Sequence, residues 1–243
     1  MSDLESWGSD RQELGLSEEE VQVWRAHLDC DEGMLSRFEA ILSADERIRA
    51  NRYFFPEDRN RFVAARGILR ALLGRYLCRL AKELEFDYTP QGKPSLRGEF
   101  RGLPICFNVS HSHDLALYAF ALRRRVGVDV ELVRADFGGE QIAERYFAPQ
   151  EIEELRRLPS SMRPKGFFLC WTRKEAYIKA RGEGLRIPLD SFYVSLTPGR
   201  PAQLHAPDGS LWNLRSLTPE RHYVGALVGE GRGWQLRCCD WKP

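Results

Sequence analysis

The chain has 243 residues, 43% hydrophobic and 29% charged, a globular composition rather than a disordered one. Its 36 lysines and arginines nearly balance 35 aspartates and glutamates, which argues against a generic nucleic-acid binder. No apolar run approaches the ~20 residues that span a bilayer, and the acidic start does not read as a signal peptide. Six cysteines without C-x-x-C or zinc spacing read as reduced, mostly buried thiols of a cytoplasmic protein.

Residues 1–20 read as a loose acidic leader, and 21–28 predicts a first strand. Ser43, with Glu46 three residues on, predicts a capped helix start. Pro56 ends that helix, and Glu57-Asp58 open a second. Phe62, Ala65, Leu69, Leu72, Leu73, Tyr76, Leu77 and Leu80 follow the 3.6 period of a long amphipathic helix. Residues 90–102 read as loop. Segments 105–109 and 115–122, flanking Ser110-His111-Ser112-His113-Asp114, predict paired strands. A strand follows at 126–132, then helices at 141–147 and 150–158 split at Pro149, and a helix at 166–181 stopped by Gly182. Short strands are predicted at 192–196, 203–205, 211–217, 223–229 and 234–238. The chain thus reads twice as helices plus short antiparallel strands. The boundary falls near residue 123, separating an N-terminal half, 21–122, from a C-terminal half, 123–243.

Several groups of residues could carry chemistry. On the strand Val126-Gly127-Val128-Asp129-Val130-Glu131-Leu132, alternation puts Asp129 and Glu131 on one face. Two carboxylates so placed repel unless a cation or proton lies between them, and their hard oxygens suit Mg²⁺. Taken alone, the segment also reads as a solvent-facing strand. Trp171, Glu175 and Lys179 share one helical face, where Glu175 and Lys179 form either a surface ion pair or part of a charged site. Residues 47–79 carry nine arginines against Glu57 and Asp58. Arg61 and Arg66 flank the apolar stripe and could meet an anion, whereas Arg70 and Arg75 read as solvated. Lys93 sits in the turn Gln91-Gly92-Lys93-Pro94, and Ser110 and His111 close a strand end. Leu155-Arg156-Arg157-Leu158 and residues 162–168 mix basic and apolar residues, which suits an acidic amphipathic helix.

Together, Phe107-Asn108-Val109-Ser110-His111-Ser112, Val126-Gly127-Val128-Asp129-Val130-Glu131 and Trp171-x-x-Lys174-Glu175-x-x-x-Lys179 resemble the 4′-phosphopantetheinyl transferases. In particular, the set looks like the larger, single-chain, surfactin-synthetase-activating type with two pseudo-repeated halves. Gly92-Lys93-Pro94 and Arg61-Phe62…Arg66…Leu69-Arg70 add to the likeness, which covers about residues 42–182. It implies an α+β fold of two pseudo-symmetric halves, each a small antiparallel sheet packed with helices. It implies Mg²⁺-dependent transfer of 4′-phosphopantetheine from coenzyme A to a serine of an apo acyl, aryl or peptidyl carrier protein, releasing adenosine 3′,5′-bisphosphate. Asp129, Glu131 and Glu175 would hold the metal, and Lys179 would face the transferred phosphate, with Lys174 a second candidate. Glu175 or Glu151 would accept the serine proton. Arg61, Arg66, Lys93, Ser110 and His111 would bind coenzyme A, His111 at the 3′-phosphate, with Arg47 and Arg49 as weaker matches. The family has a non-acidic residue in some members where this chain has Glu131. A monomer acting without nucleic acid or membrane is expected. A Mg²⁺-dependent phosphohydrolase or nuclease, and a non-catalytic coenzyme A or carrier binder, remain the competing readings.

Overall fold

The computed structural model describes residues 7–8, 15–89, 92–183, 186–206 and 211–243. Most of the acidic leader, and Gln91 of the lysine turn, lie outside the described residues. In chain order, β1 (Glu20–His27) leads to α1 (Glu32–Ile41), α2 (Ala44–Ala50) and α3 (Pro56–Leu77). A hairpin of β2 (Phe86–Tyr88) and β3 (Pro94–Leu96) precedes β4 (Ile105–Ser112), β5 (Leu115–Leu122) and β6 (Val126–Leu132). Then come α4 (Glu140–Tyr146), α5 (Pro149–Arg157) and α6 (Arg163–Arg181). The remaining strands are β7 (Tyr193–Val194), β8 (Leu204–His205), β9 (Trp212–Leu217), β10 (Tyr223–Glu230) and β11 (Gln235–Asp240).

The local signals act where the sequence predicts them. Ser43 N–H donates to Glu46 Oε2 at 3.0 Å ahead of α2. Pro56 occupies the first turn of α3, where its missing N–H costs nothing. Gly182 ends α6 in the left-handed region at φ 75°. Other expectations are corrected. Helix α1 is additional, started by Asp31, whose side chain accepts from Met34 N–H at 2.7 Å. The expected loop 90–102 contains β3, paired antiparallel with β2.

The strands form a four-stranded sheet, β11-β1-β5-β4, a three-stranded sheet, β6-β10-β9, and two small pairs, β2-β3 and β7-β8. All neighbours are antiparallel except β1 and β11, which run parallel. Strand β5 is buried on both faces, and its alternation divides the core. Ala116, Tyr118 and Phe120 meet Ile68, Leu69 and Leu72 of α3. Leu115, Leu117, Ala119 and Ala121 face the other way and join Val126, Val128, Val130 and Leu227 between the two sheets. Helix α6 covers the outer face of the second sheet, with Cys170, Ala176 and Tyr177 against Val224, Ala226 and Val228. The protein is thus α+β, two small sheets back to back, each covered by helices. All six cysteines are free; Cys170, Cys238 and Cys239 are buried, and Cys78 is exposed.

Arg70, expected on a solvated face, is fully buried. Its Nε donates to Glu46 Oε2 at 2.6 Å and its Nη1 to the carbonyls of Ala81 and Leu84. Burial alone would raise the Glu46 carboxyl, yet Arg66 and Arg70 together hold it below its usual value. The pair ties α2 to α3.

Candidate active site

The site forms where β4 and β6 lie side by side and α6 crosses β6. The seam is stitched by side chains: Asn108 Oδ1 accepts from Val128 N–H at 2.8 Å, and Ser112 Oγ from Leu132 N–H at 3.3 Å. Ser110 Oγ donates to Asp129 Oδ1 at 2.7 Å, and Ser112 Oγ to Glu131 Oε2 at 2.8 Å. Alternation along β6 sends its valines between the sheets and turns Gly127, Asp129 and Glu131 toward α6. At Gly127 the helix backbone comes so close that a Cβ would collide with the Ala176 carbonyl and Ala180 amide. Only this approach lets Lys179 Nζ reach Asp129 Oδ1 at 2.6 Å and Ser110 Oγ at 3.0 Å. Trp171, Glu175 and Lys179 are half-buried while most of their helix neighbours are buried, so their shared face borders the site.

The electrostatics are those of crowded acids. Burial, then the Asp129 charge, pushes the Glu175 carboxyl up to about 7, and Glu131 adds to the effect against Lys179. Glu131 is raised too, by burial and by Asp129. Asp129 Oδ2 is buried and accepts no hydrogen bond. The His111 imidazole is held below its ordinary value by burial and by the charges of Lys179 and Arg49. Among the described residues, no three acid, imidazole or thiol groups form a ready-made cage. The donors nonetheless fit a hard cation: one buried carboxylate oxygen without a partner, beside two carboxyls whose mutual repulsion a cation would relieve.

Two clefts adjoin this group. One, of about 370 Å³, is lined by Tyr53, Arg61, Phe62, His111, Ser112, Glu131 and Arg134. The other, of about 770 Å³, is lined by Arg49, Arg52, Tyr53, Tyr88, Thr89 and Gly92. Tyr53 borders both.

Asp129, Glu131, Ser110, His111 and Lys179 therefore meet, with Glu175 close enough to feel the other two acids. Arg61 borders the smaller cleft, its Nε 2.9 Å from Asp29 Oδ1. Other expectations are corrected. Lys179 pairs with Asp129 across the helix–strand contact, not along the helix with Glu175. Lys174 is fully buried on the far side of α6, where Nζ donates to the Leu189 and Phe192 carbonyls and lies 2.8 Å from Glu151 Oε2. Neither can touch substrate: Glu151 is itself buried, accepting from the amides of Ala148 and Val194. Arg66 is held by Glu46 and Tyr88 behind the larger cleft. Lys93 faces neither cleft; its Nζ donates to the Lys179 carbonyl at 2.6 Å and links the β2–β3 hairpin to α6. Phe167, Phe168 and Leu155, part of the expected carrier surface, are buried in the core. The weakly matched Arg49 lines the larger cleft instead, together with Arg52, and Ser112 lines the smaller one; sequence reasoning passed over Arg52 and Ser112. The spacing of Arg49 and Arg52, one turn apart ahead of Tyr53, was the available signal.

Residues 125–228 match the 4′-phosphopantetheinyl transferase superfamily. Residues 29–122 match the 4′-phosphopantetheinyl transferase N-terminal family. The chain is 43% identical to 4′-phosphopantetheinyl transferase HetI of Nostoc sp. strain PCC 7120, over 95% of this chain and 96% of that protein. It is 29% identical to 4′-phosphopantetheinyl transferase Sfp of Bacillus subtilis strain 168, over 71% of this chain and 74% of that one. The likeness to the surfactin-synthetase-activating type is therefore weaker than the likeness to HetI. Among solved structures, a Chronobacterium ammoniagenes ACPS-CoA complex matches 45% of this chain and 98% of its own, with TM-score 0.35 and 18% identity. With its two halves matched in order and one relative similar along nearly its whole length, the chain belongs to the 4′-phosphopantetheinyl transferase family.

Proposed function

We propose that this transferase moves the 4′-phosphopantetheine arm of coenzyme A onto a serine of an apo carrier protein through the Asp129–Glu131–Glu175–Lys179 group, releasing adenosine 3′,5′-bisphosphate. The carrying observation is the convergence of three carboxylates and a lysine from β6 and α6, with Asp129 Oδ2 buried and unpartnered, beside two arginine- and histidine-lined clefts. Asp129, Glu131 and Glu175 would hold Mg²⁺, which when bound neutralises charge on the pyrophosphate.

The chain's own residues account for the rest. Arg49, Arg52, Arg61 and His111 grip the phosphates of the adenosine end, His111 at the 3′-phosphate, which positions the scissile pyrophosphate over the acids. Lys179 faces the transferred phosphate. The weakest of its three contacts, to the Val128 carbonyl at 3.4 Å, is the one a phosphate oxygen replaces. Glu175 takes the serine proton directly or through one water. Ser110 and Ser112 hold Asp129 and Glu131 in place. Lys174, Glu151 and Arg66 serve the framework. The reading extends to a monomer in the cytoplasm, with a fatty-acid, polyketide or peptide synthetase carrier as acceptor.

The test is incubation with coenzyme A, Mg²⁺ and a panel of apo carriers, read as addition of one phosphopantetheine group to the carrier by mass spectrometry. Phosphate release without carrier modification would instead support a hydrolase. Asp129→Asn keeps the side-chain shape and the Ser110 contact, so it should bind coenzyme A yet lose transfer by at least about 10²-fold. Near-native transfer would remove Asp129 from the metal site.

A further inference from the structure

Nine large hydrophobic side chains are exposed among the described residues, and four of them fall within residues 48–55. Phe54 is 89% exposed, Phe55 59%, Ile48 57% and Tyr53 38%; the other five are scattered. Isolated exposed apolar residues are ordinary, whereas a contiguous aromatic group marks a binding surface. The Phe54 and Phe55 rings meet edge to face at 5.0 Å, forming one raised patch between α2 and α3.

Its position ties it to the site. Tyr53, at the edge of the patch, borders both clefts, including the one lined by His111, Ser112 and Glu131. Phe54 and Phe55 line neither cleft, so a nucleotide held there leaves them uncovered. Arg47 is exposed beside the patch and Arg134 at the far rim of the smaller cleft, while Arg49 and Arg52, also exposed, line the larger cleft together with Ile48. Asp45 is the acid among them, with Glu57 and Asp58 beyond Pro56. Aromatic anchors ringed by arginine are the composition of protein-binding hot spots. The expected carrier surface at 155–158 and 162–168 supplies fewer anchors: Leu155, Phe167 and Phe168 are buried, and Met162 is its one large hydrophobic side chain among the exposed ones.

We propose that the Ile48–Tyr53–Phe54–Phe55 patch is the platform on which the carrier protein docks, seating a helix whose apolar stripe is flanked by carboxylates. The carrier would then stand at the cleft mouth with its serine directed at Glu131 and Glu175. This rests on the reading of the chain as a carrier-modifying transferase, and the experiment separates the two.

The wild-type chain and Phe54→Ser/Phe55→Ser are compared in carrier titrations at saturating coenzyme A, in coenzyme A titrations, in thermal melts and by sedimentation. Both residues are exposed and outside the clefts, so the Tm, the KM for coenzyme A and the rate at saturating carrier should stay as in wild type. The KM for the carrier should rise at least about tenfold, the size of one hot-spot loss. An unchanged carrier KM overturns the docking surface. So does a parallel rise in the coenzyme A KM, which would make the patch part of the nucleotide site. A wild-type dimer that the double variant converts to monomer would make it a contact between two copies and also overturn the proposal. No transfer by the wild-type chain to any carrier would sink the underlying function, whatever the variant does.

Discussion

Two lysines five residues apart on one helix have opposite duties. Lys174 neutralises Glu151 inside the C-terminal core, and Lys179 stands at the open end of the site against Asp129. Lys174→Met leaves a carboxylate buried without its cation, which costs about 3–5 kcal/mol. Its Tm should fall steeply, while molecules still folded at low temperature transfer normally. Lys179→Met should lose about 10²–10³ in turnover with a smaller fall in Tm, since Ser110 still donates to Asp129 in a half-open site. Melts beside turnover distinguish the two; equal effects in both assays would contradict the division. The acids make a second prediction. Glu175 takes its proton near 7 when folded and near 4.5 when unfolded. The native state therefore binds more protons between those values, and stability falls as pH rises through them. Glu131 acts in the same direction, and His111, depressed by burial, acts oppositely around its ordinary 6.5. A cation at the acids removes this penalty, so added Mg²⁺ should raise the Tm more at pH 8 than at pH 6. Equal shifts at both pH values would take Glu175 out of the ligand set.

Much of the element pattern was legible because it is local. The 3.6 period of α3, the apolar runs of β4 and β5, the alternation of β6, the Ser43–Glu46 cap and the Gly182 stop all act over a few residues. Burial of charge was not legible. Arg66, Arg70 and Lys174 sit on or beside apolar stripes, and their partners Glu46 and Glu151 lie 20 or more residues away. A charged residue at a stripe edge looks the same in sequence whether it meets water or a buried acid. Asp129, Glu131, Glu175 and Lys179 were legible as a set through the resemblance, but the Lys179–Asp129 pair needed the helix–strand crossing. That crossing depends on Gly127. A methyl there meets backbone rather than a movable side chain, so Gly127→Ala should cost about 1–3 kcal/mol or more. It should also lower transfer by moving Lys179 and Glu175 off Asp129. An unchanged melt with full activity would mean α6 is not held at this contact.

At the scale of the molecule, the two sheets are not each built from one contiguous half. Strand β11 leaves the second sheet's region and adds to the first, parallel to β1, with Cys238 opposite Val23 and Cys239 opposite Trp24. The register between segments more than 200 residues apart leaves no local trace, so the pattern of 234–238 reads simply as another short strand. A chain ending at residue 234 should lose native amide protection along β1, measured by hydrogen exchange, and its unfolding should become less cooperative. Retained protection would show that β1 is secured by β5 alone. The pairing also bears on synthesis. Chains generally fold from the N-terminus as they leave the ribosome, but here β1, the second strand of the first sheet, waits for a neighbour made some 210 residues later. Until residues 235–240 emerge, β1 presents an open edge to the cell, so the nascent chain, more than the finished enzyme, is the form that needs a chaperone's protection.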